Sequence, residues 1–382
     1  MKTAKRLEHI DEYYFSRKLK EVGELISKGK PIINLGIGSP DLMPPKSSID
    51  NLIKALQSPI ANKYQGYKGI EPLRKAIKDF YLKNYNVNLN HDEEILPLIG
   101  SKEGIMHISL AFLDEGDGVL IPNPGYPTYL SVCKIVGAKP IFYDLTESNS
   151  WFPDLKKIKK INLSKVKIMW INYPHMPTGA SANDRNLIDI IEFGKKHDIL
   201  ICNDNPYAFI LNNDQKSILQ FRNIFDQILE LNSLSKSHNM AGWRIGMVAG
   251  NKNLIDSILK VKSNMDSGMF FAIQKAAVKA LSLNKEWYLS INQTYRIRRE
   301  LVWEIMDLLN AKYDKNAKGM FVWGKINNSN SLEFADNILK KYAVFITPGD
   351  IFGKNGVGYI RMSLCCNEIV LKEILKRIIK WI

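Results

Sequence analysis

The sequence predicts an α/β fold, with a large domain built on a seven-stranded, mostly parallel sheet and a smaller α+β domain after it. Two features of the pattern predict this. Between about residues 95 and 250, apolar runs at 95–99, 119–122, 139–145, 166–172, 198–203, 228–231 and 244–248 alternate with helix-like segments, as strands joined by crossover helices do. Beyond a long helical stretch at 284–309 the rhythm changes, with strand-like runs at 319–323, 344–346 and 359–362 and a final helix at 367–382.

In chain order, 1–45 reads as a helix and connector packing with the small domain, 46–282 as the large domain and 283–382 as the small one. Leu187, Ile190, Ile191 and Phe193 recur at helical spacing and mark a crossover helix within the large domain. The chain contains no internal repeat, low-complexity segment or long linker.

Composition narrows the function classes. A chain of 382 residues, 45 % hydrophobic and 24 % charged, has the make-up of an ordinary globular protein with a sizeable core. The net charge of +14 raises the question of nucleic acid, but the lysines are scattered and no basic stripe interleaved with aromatics occurs, so no nucleic-acid partner is expected. Apolar runs fall short of the roughly 18 residues a membrane span needs, and the start of the chain lacks a signal-like apolar stretch. The expectation is therefore a cytoplasmic protein with no membrane partner. Cys133, Cys202, Cys365 and Cys366 show no metal-ligand spacing, so no metal and reduced thiols are expected.

The most informative segment is Ser233-Leu-Ser-Lys236 followed by Arg244. Serine hydroxyls and an arginine fork suit a phosphate dianion, and a nearby cation helps keep the Lys236 amine neutral and nucleophilic. A lone Ser-x-x-Lys is also compatible with a solvated surface lysine. Gly100-Ser101-Lys102 lies between a strand and a helix, where backbone N–H groups bind phosphate, although Gly100 could equally be a loop glycine. Tyr126, fixed between Pro124-Gly125 and Pro127, could offer a flat face to a ring or be a core tyrosine. Asp204 ends the apolar run 198–203 in Asn203-Asp-Asn-Pro-Tyr207. A carboxylate there is costly unless paired; a helix cap is its other reading. Arg361 in Gly358-Tyr-Ile-Arg-Met-Ser-Leu364 can grip a carboxylate bidentately or simply lie on the surface.

Taken together across residues 33 to 364, these motifs resemble, in order, those of pyridoxal-phosphate-dependent aminotransferases of fold type I, class I/II, the aspartate aminotransferase superfamily. Gly-Ser-Lys-Glu-Gly-Ile at 100–105 is similar to the branch that includes LL-diaminopimelate aminotransferases. The resemblance implies the PLP-transferase fold, pyridoxal 5'-phosphate as cofactor, and a homodimer acting on an amino acid and a 2-oxo acid in amino-acid biosynthesis. It implies Lys236 as the Schiff-base lysine, with Gly100, Ser101, Lys102, Ser233 and Arg244 around the phosphate. Tyr126 would stack on the pyridine ring, Asp204 would pair with its nitrogen, and Tyr207 would donate to its phenolate oxygen. Arg361 and the backbone at Gly38 would hold the substrate α-carboxylate, while Tyr64 would reach the phosphate of the partner subunit.

One departure stands out. The family carries Asn-Pro-Thr-Gly after the fourth strand, whereas here Pro174-His-Met-Pro-Thr-Gly179 puts Met176 in place of the asparagine. His175 is then either the replacement donor to the cofactor or a satisfied loop histidine. The expected activity is transfer of an amino group from aspartate, an aromatic amino acid or a diaminopimelate-like donor to an acid such as 2-oxoglutarate. The same residues would also serve a carbon-sulfur lyase or decarboxylase. A PLP-binding regulator would need a DNA-binding domain ahead of the fold, and few residues precede Ile33.

Overall fold

The computed structural model describes residues 1–382 apart from 9, 11, 13, 328, 329, 381 and 382. Helix α1 (Tyr14–Ser27) precedes the short strand β1 (Ile33–Asn34), and α2 (Lys46–Leu56) and α3 (Glu71–Tyr85) lead into the central sheet. Its strands are β2 (Ile95–Leu98), β3 (Gly118–Asn123), β4 (Lys139–Asp144), β5 (Val166–Ile171), β6 (Leu200–Asp204), β7 (Ile228–Ser233) and β8 (Gly246–Gly250). Between them run α4 (Ser101–Phe112), α5 (Pro127–Ile135), α6 (Leu155–Ile158), α7 (Asp184–His197) and the single turn α8 (Leu234–Ser237). Helices α9 (Lys252–Lys262) and α10 (Phe271–Leu281) follow.

The strand order is β2-β8-β7-β6-β5-β3-β4. From β7 across to β4 every pairing is parallel, while β8 runs antiparallel to both β7 and β2. The reversal has a local cause. Only α8 and a 3-10 turn separate β7 from β8, too little to make the crossover a parallel partner requires. Strands β3, β6 and β7 are buried along their whole length, as expected for a sheet covered by helices on both faces.

Two edges differ from the sequence pattern. The run at 198–203 becomes Leu200–Asp204 because Asp198, at φ +53°, ends α7 in a left-handed turn. The run at 244–248 starts only at Gly246, because Arg244 is itself left-handed (φ +57°) after the 3-10 turn Ala241–Trp243. Helices α2 and α3 carry no counterpart in the sequence reading.

The long helix α11 (Lys285–Leu308) matches its expected span closely and leads to β9 (Lys312–Tyr313), β10 (Phe321–Lys325), α12 (Ser331–Tyr342), β11 (Val344–Phe345), β12 (Thr347–Pro348), β13 (Tyr359–Ser363) and α13 (Glu368–Ile379). The last two positions of the expected helix at 367–382 lie outside the described residues. Four of these strands form an antiparallel sheet in the order β12-β13-β10-β9. The N-terminal strip joins this region: β1 pairs parallel with β11, and Lys18 on α1 contacts Asp336 on α12 at 2.7 Å. All four cysteines are free thiols, and among the described residues no helix is long and apolar enough to cross a membrane.

Arg298 on α11 is the main polar fastening between these parts. Its guanidinium, 2 % exposed, donates to both oxygens of Asp41 (2.6 and 3.0 Å), to Glu368 (2.9 Å) and to the Leu364 carbonyl (3.2 Å). Removing one side of a buried ion pair strands the other. Both carboxylates retain some contact with water, so Arg298→Ala is expected to cost about 2–3 kcal/mol, below the figure for fully buried pairs. Urea denaturation of the two proteins measures it, and equal midpoints would show that the fastening contributes no net stability.

Candidate functional site

The C-terminal ends of β5, β6 and β7 open onto a cavity of about 550 Å³, the crevice in which open α/β sheets place ligands. Each strand delivers a polar group to it. Asn172 follows β5, Asp204 is the last residue of β6, and Ser233 closes β7 just before Lys236 on α8.

Asp204 is buried, with Oδ2 accepting a hydrogen bond from the Tyr129 hydroxyl at 3.0 Å and Oδ1 accepting none. Burial pushes its carboxyl up to about 6, against the lowering effect of the Tyr129 hydroxyl. Asn172 braces the backbone behind it: its amide donates to the Asp204 carbonyl and its Oδ1 accepts from Met176 N at 2.8 Å.

Lys236 Nζ donates to the Gly38 carbonyl. Burial lowers its ammonium below the ordinary lysine value, and the guanidinium groups of Arg361 and Arg244 act in the same direction. Ser233 Oγ accepts from Ser235 N at 3.1 Å and donates to Ser235 Oγ at 2.9 Å, so the hydroxyls of this turn are tied together.

At the start of α4, Ser101 and Lys102 line the same cavity. Gly100 is not on the wall but makes it possible. Its φ of +83° suits glycine, and a Cβ there would lie 2.1 Å from Arg244 Nη2. Arg244 is thereby brought against the N-terminal turn of α4, a combination of helix dipole and guanidinium that favours an anion. Burial, followed by Arg244, lowers the Lys102 ammonium.

Across the cavity, Arg361 on β13 is 4 % exposed and donates from Nη2 to the Gly36 carbonyl at 2.7 Å. Its guanidinium carbon lies 3.9 Å from the Phe321 ring centroid and 4.8 Å from that of Phe352, while Nη1 is 3.2 Å from Met176 Sδ. Tyr207 stands edge-on to Phe321 at 5.8 Å, and Tyr126 edge-on to Tyr129 at 5.6 Å.

Thus the fold brings Gly38, Ser101, Lys102, Tyr126, Asp204, Tyr207, Ser233, Lys236, Arg244 and Arg361 to one cavity. Of the three other expected residues, Gly100 adjoins the wall behind Arg244 and two are elsewhere. His175 is turned into the protein, its Nδ1 2.8 Å from Thr178 Oγ1, and burial lowers its pKa to about 3. It does not line the cavity, whereas Met176 and Asn172 do, so it is not placed to replace the missing asparagine. Tyr64 is 91 % exposed and away from the cavity of its own subunit.

Residues 30–378 match the family described as aminotransferase class I and II. The LL-diaminopimelate aminotransferase of Dehalococcoides mccartyi (strain BAV1) is 40 % identical, with 98 % of each chain covered. The enzyme of the same name from Halothermothrix orenii is 36 % identical over 99 % of this chain and 98 % of its own. Among solved structures, substrate-bound BacF from Bacillus subtilis superposes with a TM-score of 0.95 at 33 % identity, covering 100 % of this chain and 98 % of that one.

A lysine with a lowered pKa on a cavity wall keeps more neutral amine near pH 7.5 than surface lysines do. Trinitrobenzenesulfonate at limiting concentration should therefore modify Lys236 of cofactor-free protein first, as read by peptide mass spectrometry. Labelling no faster than at exposed lysines would contradict the lowered value.

Proposed function

The chain belongs to the class I and II aminotransferases, which work with pyridoxal 5'-phosphate, and we propose the following assignment of its residues. The observation that carries it is that Asp204 Oδ1 is buried without a hydrogen bond in the cavity that Lys236 also lines. A protonated ring nitrogen is the partner such an oxygen lacks. Glycine at position 100 likewise lets the Arg244 guanidinium close against the N-terminal turn of α4, a pairing suited to a phosphate group.

Lys236 would hold the cofactor covalently between turnovers. Ser101, Lys102, Ser233 and Arg244 would hold its phosphate, with the Gly100 turn behind them, and Tyr126 would lie against its ring. Bound there, the cofactor supplies a protonated ring that withdraws electrons from the substrate's α-carbon. Asp204 keeps that ring nitrogen protonated. Lys236 Nζ, whose ammonium burial makes more acidic, would move the proton between the substrate's α-carbon and the cofactor's C4' carbon. Tyr207 would donate to the ring oxygen; Met176 has no amide to offer, and the Asn172 amide gives one of its N–H groups to the Asp204 carbonyl. Arg361 grips the α-carboxylate beside the Gly38 backbone.

The amino group passes from an amino acid to a 2-oxo acid such as 2-oxoglutarate. The relatives' name makes LL-diaminopimelate the first donor to try, with aspartate and aromatic amino acids next. We place the enzyme in the cytoplasm, keep the division into 1–45, 46–282 and 283–382, and propose a homodimer. Support for the dimer is the exposure of Tyr64 together with Ile60, Tyr67, Met265 and Phe270, each at least 44 % exposed.

Lys236→Ala should lower amino transfer by at least about a thousandfold; near-normal turnover would rule out its role. Arg361→Lys retains the charge without the fork, so affinity for both amino acid and oxo acid should fall about ten- to a hundredfold while the cofactor stays bound. Equal loss of cofactor affinity would point to a structural role.

If Tyr64 serves the partner's site, Tyr64→Ala and Lys236→Ala chains should regain part of the activity when co-expressed, because a mixed dimer assembles one intact site. No recovery in verified mixed dimers would place Tyr64 outside the partner's site.

A further inference from the structure

We propose that Glu230, buried on β7, is a positioning residue for the reaction: it closes the base of the loop 205–217 and so fixes the aim of Tyr207. The inference rests on the assignment of Tyr207 to the cofactor's ring oxygen. Glu230 has none of its surface exposed and stands directly opposite Asn203 on β6. Asn203 precedes Asp204, and the chain that leaves β6 there passes through Tyr207 before it returns at Ser217 to start the 3-10 turn Ile218–Phe221.

One carboxylate holds both ends of that excursion. Its Oε2 accepts from Asn203 Nδ2 at 3.1 Å and from the Ile218 backbone N–H at 3.0 Å, and its Oε1 accepts from the Ser217 hydroxyl at 2.9 Å. An ionised carboxylate has about four acceptor sites, enough for all of these donors, whereas an apolar residue would strand them. Asn205 adds a second tie across the base, donating to the Lys216 carbonyl at 2.8 Å. The far side of the loop is held by α11, where Asn292 accepts from Leu211 N at 2.7 Å and donates to the Phe209 carbonyl at 2.9 Å. Tyr207 thus stands between two fastenings.

Glu230 keeps its grip in either charge state. Burial pushes its carboxyl up to about 7 against the lowering effect of its hydrogen-bond donors. Its other polar neighbours are the Tyr81 and Tyr85 phenols of α3, which burial, and after it the charge of Glu230, makes harder to ionise. When Glu230 is protonated, Oε1 can donate to Ser217 Oγ while Oε2 still accepts from Asn203 and Ile218. Glutamine can make the same set of contacts, and methionine, of similar length, cannot.

The holoenzyme's visible absorbance reports the aim of Tyr207. A hydrogen bond to the ring oxygen stabilises its negative charge once the Schiff base has lost its proton, so loss of that bond raises the pH at which the absorbance changes. Tyr207→Phe is expected to raise this midpoint by about one unit, and Glu230→Met by about half a unit in the same direction. In the double variant the shifts should fall short of their sum, because both act through one hydroxyl. Glu230→Gln should restore most of the unmodified enzyme's midpoint. Ser217→Ala removes one donor, leaves the carboxylate its other two, and should give a rise of about a third of a unit; it decides the matter if Glu230→Met does not fold. A midpoint unmoved by Glu230→Met or by Ser217→Ala, shifts that add in full, or a Glu230→Gln variant no different from Glu230→Met overturns the proposal. A midpoint that Tyr207→Phe leaves in place removes Tyr207 from the ring oxygen and this proposal with it, while the aminotransferase assignment is decided separately by Lys236→Ala.

Discussion

The hydrogen bond from Arg361 to the Gly36 carbonyl joins the parts of the chain on which the site depends. A parallel sheet can supply only the floor, because its strands end together and leave a crevice beyond their carboxyl ends. The roof comes from the N-terminal strip and the antiparallel sheet of β10 and β13, brought together by the β1–β11 pairing and by this bond. The contact is close. A Cβ at Gly38 would lie 2.2 Å from the Phe321 ring, so the strip passes near enough for its carbonyl to meet Lys236.

Enclosure then sets the electrostatics. The same removal of water raises the Asp204 carboxyl, lowers the Lys236 ammonium and leaves the Arg361 guanidinium among aromatic rings. The lowered Lys236 ammonium is the direction the chemistry needs, whereas the raised Asp204 carboxyl shows a charged form that burial disfavours until a cation pairs with it. Arg361 keeps its charge because guanidinium does not deprotonate in proteins. It is therefore the group best able to hold a substrate anion in an apolar wall.

The legibility of the site in the sequence followed the range of the interactions. Asp204 and Lys236 could be placed at the cavity from the sequence because one ends an apolar run and the other follows one by a single turn, while Arg361, in the middle of β13, was placed by its motif. Tyr129 and Asn172 were missed although their signals were close by: Tyr129 is two residues past Pro127, and Asn172 closes the run that forms β5. Their roles arise from a cross-sheet contact to Asp204, which no spacing reports. Phe15 and Leu19 of α1, which also line the cavity, were hidden for the same reason, since an amphipathic helix does not reveal which surface it covers. The reversal of β8 was legible only in hindsight, from the brevity of the segment after β7. His175 misled because a change of residue next to a motif says nothing about the direction of a side chain. Its ring turns to Thr178, leaving Met176 at the cavity.

The phosphate turn and the exposed Tyr64 segment are also mechanically connected. Glu103 on α4 accepts from the Ile99 backbone N–H at 2.5 Å, just before Gly100, and its other oxygen is 2.8 Å from His107 Nε2. Asp266 approaches this pair from the loop after α9, where it is bonded to the fully buried Lys262 and accepts from Gly268 N at 2.8 Å. Gly268 in turn lies so close to the Gln65 carbonyl that a Cβ would come within 2.4 Å of it. The Gly100 turn and the segment that carries Tyr64 therefore stand at the two ends of one line of contacts through Glu103, His107, Asp266 and Gly268. Because packed interiors transmit displacement rather than absorb it, a shift of the Tyr64 segment on meeting a second subunit would be felt at Ile99 and Gly100.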